Sequence, residues 1–149
     1  MKLFAIITIS VLVGLGLLRF ILRFTMHRTQ KNLLRAVKMR RPGASWTMID
    51  GANFMGLASA GVAQVRGNGI LALNRDELYF LMAVPRREIA IPLTAVRDVD
   101  LVRSHTGKTV GHALLRVMFD EQSGQDSVAW AVRNPEQWKR NIQALSGQA

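Results

Sequence analysis

The chain has 149 residues, enough for one domain with its own core and too few for two large folds. It has no cysteine, which excludes a disulfide scaffold, a thiol nucleophile and a thiolate metal site. The formal net charge of +10 is unevenly distributed, because residues 1–41 contain nine Lys or Arg and no acidic residue. Residues 42–149 contain eleven basic and ten acidic residues. The basic character therefore belongs to the first part of the chain.

The first element is an apolar stretch over residues 3–22, in which Arg19 is the only charged residue. As a helix rising about 1.5 Å per residue, it would span the roughly 30 Å hydrocarbon core of a bilayer. Arg19 falls near its end, where a long side chain can reach the headgroups. The sequence therefore predicts a transmembrane helix over residues 1–24.

A cleaved signal peptide is the alternative interpretation of this stretch. No small-x-small cleavage site follows the apolar run, where Leu17-Leu18-Arg19-Phe20 stands instead. Eight Lys or Arg lie between Arg19 and Arg41, so the positive-inside rule keeps the C-terminal side in the cytoplasm. We expect a single-pass protein of the bacterial inner (plasma) membrane, with its N-terminus outside and its C-terminal domain cytoplasmic.

A patch of small residues, Ser10, Gly14 and Gly16, lies within the predicted span. Ser10 and Gly14 have the i, i+4 spacing that lets two helices approach closely. The patch is a candidate surface for transmembrane helix packing. It predicts other membrane-protein subunits, or a homo-oligomer, as partners.

Residues 25–43 form a basic connector that is expected to be helical up to the break at Pro42-Gly43. Leu33, Leu34 and Val37 would lie on one side, with basic residues over much of the rest. Such a segment can lie on anionic lipid, although topology alone would explain many of its charges. No recognition motif or interleaved aromatic residue accompanies it, so nucleic acid is not an expected partner. The candidate lipid-headgroup residues here are Arg19, Arg23, Arg28, Lys31, Arg35, Lys38, Arg40 and Arg41.

From residue 44 to residue 149 the apolar pattern is that of a mostly β domain, with short runs of period 2 separated by turn residues. The residues before this pattern, 44–58, fit either an extra strand or a loop. The seven predicted strands are Ser59 to Arg66, Gly69 to Leu73, Glu77 to Met82, Glu88 to Ile91, Arg97 to Val102, Ala113 to Phe119 and Ser127 to Val132.

An amphipathic helix is predicted at about residues 135–145. Asn134-Pro135-Glu136-Gln137 has the composition of a capping box with Pro at the first helical position. Trp138, Ile142 and Leu145 then form one apolar stripe that needs a surface to cover.

Two segments, Gly69 to Phe80 and Ile89 to Val99, resemble the bacterial PH-like and GRAM-like domains of the pleckstrin-homology superfold. The resemblance implies a mainly β fold with α, a seven-stranded antiparallel barrel or sandwich capped by the C-terminal helix. It also implies a binding module for phosphoinositides, other lipids or protein segments. Eukaryotic lipid-binding members use a basic cluster in the first loop, where this chain has only Arg66.

No catalytic, cofactor or metal site is predicted. His105 and His112 lack a third ligand at a recognisable spacing and are expected to be solvated loop residues. Trp130 and Trp138 are expected in the core. We therefore predict a non-enzymatic, membrane-anchored binding or scaffold module, or an accessory subunit of a membrane complex. The alternative is a sensor of anionic membrane lipid that uses the connector and two loop residues, Arg86 and Arg87.

Overall fold

The computed structural model describes the backbone of residues 2–147 and the side chains of residues 11, 13–21 and 28–147. The chain forms two compact units, Met1–Asn32 and Leu33–Ala149, and the second contains the end of the first helix and all the strands. The elements in chain order are α1 (Lys2–Arg40), β1 (Met48–Leu57), β2 (Gly67–Leu73), β3 (Glu77–Met82), β4 (Arg87–Pro92), a 3-10 turn (Leu93–Ala95), β5 (Val96–Val102), β6 (Leu114–Glu121), β7 (Gly124–Val132) and α2 (Pro135–Ser146).

The first unit exposes apolar side chains along α1. Those described are between 50% and 68% exposed: Val11, Val13, Leu15, Leu17, Leu18, Phe20 and Ile21. Among the side chains that the structure describes, no helix carries an apolar stretch long enough to cross a membrane. Much of the predicted span lies outside those side chains, including Ser10 of the small-residue patch and the candidate Arg23.

The second unit is built on one antiparallel sheet of seven strands in the order β4-β3-β2-β1-β7-β6-β5. β1 is its central strand and pairs with β2 on one side and β7 on the other. α2 packs against β5 and β6 and buries Trp138 and Ile142. The prediction of seven antiparallel strands followed by a C-terminal helix is confirmed.

Both faces of β2 and β3 are buried. Leu71 and Leu73 belong to the main core, together with Trp130 and Trp138. The predicted burial of the two tryptophans is confirmed. Ile70 and Ala72, which point to the opposite face, belong to a second apolar cluster. Because each face has its own cover, the two strands read as continuous apolar runs rather than as an alternating pattern.

The prediction for the first strand is wrong. Residues 59–66 form a loop, and the first strand is β1, most of which lies in the segment 44–58 that fits either an extra strand or a loop. Gly61 in the loop has a φ of +71°, which a strand does not adopt. β1 was obscured by Gly51 and Gly56, which are rare in strands, the second of them beside a break in register with β7.

One predicted strand boundary and one predicted helix cap also differ from the structure. β2 begins at Gly67, two residues before the predicted Gly69, because Gly67 and Asn68 pair with β1. A Cβ on Gly69 would lie 2.3 Å from the carbonyl oxygen of Leu81. Glycine is needed there for close approach of the strands. At the start of α2, Asn134 makes no side-chain capping hydrogen bond, so the capping box is not formed.

Candidate functional site

The exposed basic residues of α1 form the first part of the candidate site. Arg28, Lys31, Arg35 and Lys38 are exposed, as is Arg19. Arg28 and Lys31 of the first unit are three residues apart, and so are Arg35 and Lys38 of the second unit, so each pair occupies neighbouring helical positions. Four of the predicted headgroup residues are therefore exposed, two in each unit.

The apolar side of the connector is occupied by the sheet. Leu33 and Val37 are 3% and 0% exposed, and they pack in one cluster with Ile70, Tyr79 and Leu81. The compact unit accordingly begins at Leu33 and includes the end of α1. This apolar stripe covers the outer face of β2 and β3 and is not available to lipid.

Polar contacts hold the end of α1 in the same place. Arg41 Nε lies 2.7 Å from Glu77 Oε1, and its guanidinium lies 4.5 Å from the ring centre of Tyr79. Tyr79 donates its hydroxyl hydrogen to Glu88 Oε2 at 2.9 Å, and Arg40 forms an ion pair with the same carboxylate. We call Arg40, Arg41, Glu77, Tyr79 and Glu88 the helix clamp.

The electrostatics of the helix clamp follow from these contacts. The hydrogen bond with Glu77 raises the pKa of Arg41. Burial raises the pKa of Tyr79, and its hydrogen bond to Glu88 acts in the same direction. Arg40 and Arg41, two of the candidate headgroup residues, form ion pairs with Glu88 and Glu77 of the sheet.

The other two predicted headgroup residues lie at one end of the sheet. Arg86 is exposed, whereas Arg87 is half-buried, with its guanidinium 5.3 Å from the ring centre of Phe54. Ala83, beside this turn, donates its N–H to the carbonyl oxygen of Asn68, so the β3-β4 turn and the start of β2 adjoin. We call the residues at this end the basic rim: the exposed Val62, Val65, Arg66, Val84 and Arg86, and the half-buried Arg87.

The sequence pattern does not indicate that three valines of the basic rim are exposed. Val62, Val65 and Val84 are 71%, 64% and 77% exposed. In the predicted strand Ser59 to Arg66, Val62 and Val65 would lie on opposite faces, so one of the two would be buried. The signal that could have found them is Gly61, which interrupts the alternation just before Val62.

A loop between β5 and β6 covers the third apolar cluster, which contains Met55, Leu114 and Ala129. His105 of this loop is buried, and its Nε2 lies 3.1 Å from the carbonyl oxygen of Gly56. Burial lowers the pKa of His105. The prediction of a solvated His105 is therefore wrong, whereas His112 is exposed as expected.

An open groove of about 870 Å³ lies between the end of α1 and the β2-β3 turn. Arg41 and Glu77 in its wall are paired with each other, and the exposed Arg75 and Asp76 carry opposite charges. Over the residues whose side chains are described, no group of three acidic or histidine side chains could hold a metal ion. The charges of Arg75 and Asp76 balance, so the groove has no excess of positive or negative charge outside its ion pairs.

No family model matches this chain, and neither does any curated protein. Among solved structures, 34 chains are similar to it. One is described as the crystal structure of the C-terminal domain of an unknown protein from Leishmania infantum; it is 10% identical, with a TM-score of 0.55, over 78% of this chain and 96% of that one. At this identity the likeness shows the fold alone.

Proposed function

We propose that the chain is a membrane-anchored, non-enzymatic binding or scaffold module, which presents its β domain at the cytoplasmic face of the inner membrane. The observation that carries the proposal is the run of exposed apolar side chains on α1, such as Leu17 and Phe20 at 61% and 68% exposure. Large exposed apolar surfaces are typical of contact with lipid or with another protein. The basic residues that follow favour retention of the C-terminal side in the cytoplasm.

A PH-like class for the β domain is part of this proposal. The strand order, with β1 between β2 and β7 and with α2 packed at β5 and β6, supports the resemblance noted from the sequence. The two buried ionisable side chains of the domain, His105 and Asp126, have structural partners: His105 Nε2 lies 3.1 Å from the carbonyl oxygen of Gly56, and Asp126 accepts hydrogen bonds from Ser59 N and Ser59 Oγ at 3.0 and 2.5 Å. This use of ionisable groups favours a binding role over catalysis.

Mild-detergent purification of the tagged full chain from its own cells tests this function. If the module is an accessory subunit or an oligomer, the chain should elute with a stoichiometric partner or as a defined multimer. Gly14→Leu with Gly16→Leu should weaken that association, since a bulky side chain separates closely packed helices. Met39→Leu, at an exposed position outside the span, is the matched control. A wild-type chain that always elutes alone and monomeric would contradict the proposal.

A second candidate function, sensing of anionic membrane lipid, is favoured by the basic side of the connector. In the second unit Arg35 and Lys38 remain exposed while Leu33 and Val37 pack on the sheet, and in the first unit Arg28 and Lys31 are exposed. Each basic residue near an anionic leaflet contributes about 1 kcal/mol to its attraction. Such charges should enrich anionic lipid around the protein.

Enrichment is measurable with the full chain in bilayer nanodiscs that contain a spin-labelled anionic lipid. The wild type should hold more of the labelled lipid than a variant with Gln at residues 28, 31, 35 and 38, and the difference should shrink at high salt. Charge-neutral spin-labelled lipid provides the control. Equal enrichment by wild type and variant would remove lipid sensing and leave the scaffold function standing.

A further inference from the structure

We infer that the loop between β5 and β6, residues 103–113, is an acid-sensitive strap: protonation of His105 releases it from β1 and exposes the apolar cluster beneath it. The strap lies over Met55, Leu114 and Ala129, which are fully buried, and adds Val110 to the same cluster. The inference concerns the folded second unit and does not depend on the proposed membrane anchoring. Its trigger is a proton, and its effect is to uncover an apolar surface.

Side-chain contacts from the strap reach β1 and the segment that follows it. His105 Nε2 lies 3.1 Å from the carbonyl oxygen of Gly56 in β1. Lys108 Nζ donates to the carbonyl oxygen of Gln64 at 2.7 Å. Histidine changes its charge near neutral pH, whereas lysine stays charged there. Of these two contacts, the one that a change of pH can break is therefore that of His105.

The tip of the strap has a backbone conformation that needs such contacts. His105 and Lys108 exchange backbone hydrogen bonds of 2.9 Å on either side of Thr106 and Gly107. Thr106 has a φ of +48°, a left-handed conformation that a β-branched residue rarely adopts. Its Oγ1 lies 3.4 Å from the carbonyl oxygen of Met55. The closed strap thus carries backbone strain, which its contacts with β1 must offset.

The surroundings of His105 favour its uncharged form. The residue is 6% exposed, and burial lowers its pKa. The carbonyl oxygens of Gly56 and Ser127 and the carboxylate of Asp126 on β7 act in the opposite direction, while Arg116 on β6 adds to the lowering. In a released strap the ring is in water and takes up a proton at its ordinary pKa of about 6.5. Acidification below that pH therefore favours release, and the closed form is favoured above it.

Thiol reactivity beneath the strap measures its release, because the natural chain has no cysteine. Ala129→Cys places a thiol under the strap, and Ala72→Cys places a matched buried thiol in the cluster that α1 covers. Gln122→Cys, in the exposed β6-β7 turn, gives the rate of an open thiol at each pH. The full chain in mild detergent is treated with dithiodipyridine, which reacts with thiols in acid as well as at neutral pH.

The thiol at residue 129 should become more reactive in acid. Between about pH 7.5 and about pH 5.5, its rate relative to residue 122 should rise by up to about tenfold, because release takes up one proton. The relative rate at residue 72 should not change. His105→Gln keeps an N–H donor for Gly56 and cannot be charged, so it should abolish the rise. His112→Gln, at an exposed position of the strap, should retain it.

Two further measurements separate the strap from its trigger. Lys108→Met removes the contact with Gln64, so it should raise the rate at residue 129 at both pH values and keep the dependence on pH. Amide hydrogen exchange in the wild type needs no introduced thiol. After correction for the intrinsic effect of pH, protection of residues 103–113 should fall on acidification while protection of β3 is maintained.

Equal rises at residues 129 and 72 would show a general loosening of the domain and would overturn the inference. A rise that persists in His105→Gln would overturn it as well, since another group would then be the trigger. Unchanged protection of residues 103–113 in the wild type would also overturn it, and this measurement decides alone if Ala129→Cys does not fold.

Discussion

Two regions of α1 contain similar apolar residues but differ in how far those residues are buried. Leu33 and Val37, near its C-terminal end, are 3% and 0% exposed because the outer face of β2 and β3 covers them. Leu15 and Leu17 in the earlier region are 52% and 61% exposed. The apolar residues of the later region pack against β2 and β3. We propose that lipid covers the apolar residues of the earlier region.

The basic residues near the end of α1 also differ in their surroundings. Arg40 and Arg41 at the end of the helix face Glu88 and Glu77 of the sheet, and their charges are neutralised there. Arg35 and Lys38, near the same end of the helix, are exposed. Some of the basic residues in this part of the sequence therefore hold the helix on the sheet, and others are exposed. The predictions below test this division, starting with the largest expected effect.

The strongest test changes the exposed region. Val13→Lys with Leu15→Lys puts two charges in the predicted span, each costing about 2.5–3.5 kcal/mol at the centre of a membrane helix. The chain should move from the carbonate-resistant membrane fraction to the extracted fraction. Met39→Lys, at a position that is 80% exposed, should stay in the membrane. A double variant that still resists extraction would break the comparison, since the exposed region would then not be in lipid.

The buried region is tested by Val37→Asp. A carboxylate at this fully buried position has no partner, so the unfolding free energy of the second unit should fall by about 3 kcal/mol. Urea unfolding of the full chain in detergent, followed by tryptophan fluorescence, measures the change. Lys38→Asp, one residue along and exposed, should stay within about 0.5 kcal/mol of the wild type. Equal effects at the two positions would show that the stripe is not docked.

The helix clamp predicts a smaller effect. Tyr79→Phe removes the hydrogen bond to Glu88 and should cost about 1 kcal/mol of unfolding free energy. Tyr79 is the only tyrosine, so its ultraviolet titration reads one group, which should ionise above its ordinary pKa of about 10. Stability from this group is present at lower pH and declines as the pH rises through that range. A titration at the ordinary pKa would mean that Tyr79 is not covered by α1.

The smallest effect concerns His105, whose pKa is lowered by burial. The unfolded chain then takes up a proton first as the pH falls below about 6.5, so stability should decrease on acidification by less than about 1 kcal/mol per pH unit. His105→Gln should remove this part of the slope, and His112→Gln should leave it. Urea midpoints at pH 5.5 and 7.5 give the comparison. Loss of the slope in His112→Gln alone would contradict the burial of His105.

Much of the sheet could be predicted from sequence because six of its strands have apolar residues between clear turn residues. β3 was placed at Glu77–Met82 with both ends correct. β1 was missed because Asp50, Gly51 and Gly56 weaken its strand pattern, although Phe54 and Met55 are fully buried. Its position at the centre of the sheet compensates for that low propensity. The local sequence of β1 could not predict its pairing with β2 and β7, because the partner residues are distant in the sequence.

The candidate site was predicted in part. The exposed basic residues of the connector follow from charge and helical spacing, since neither depends on a distant partner. The helix clamp depends on residues far apart in the sequence, such as Arg41 and Glu77, so a local pattern could not assign Arg41 a structural role. The exposed valines of the basic rim were hidden by an alternation that resembles a strand until Gly61 is placed in a left-handed conformation.

Cysteine accessibility in intact cells tests the central claim most directly, because the natural chain has no cysteine. One variant carries Lys2→Cys, and a second carries Gln122→Cys in the exposed β6-β7 turn. A membrane-impermeant maleimide should label residue 2 in intact cells and should label residue 122 only after lysis. Labelling of residue 122 in intact cells, or recovery of a chain that lacks residue 2, would contradict a membrane anchor with a cytoplasmic β domain.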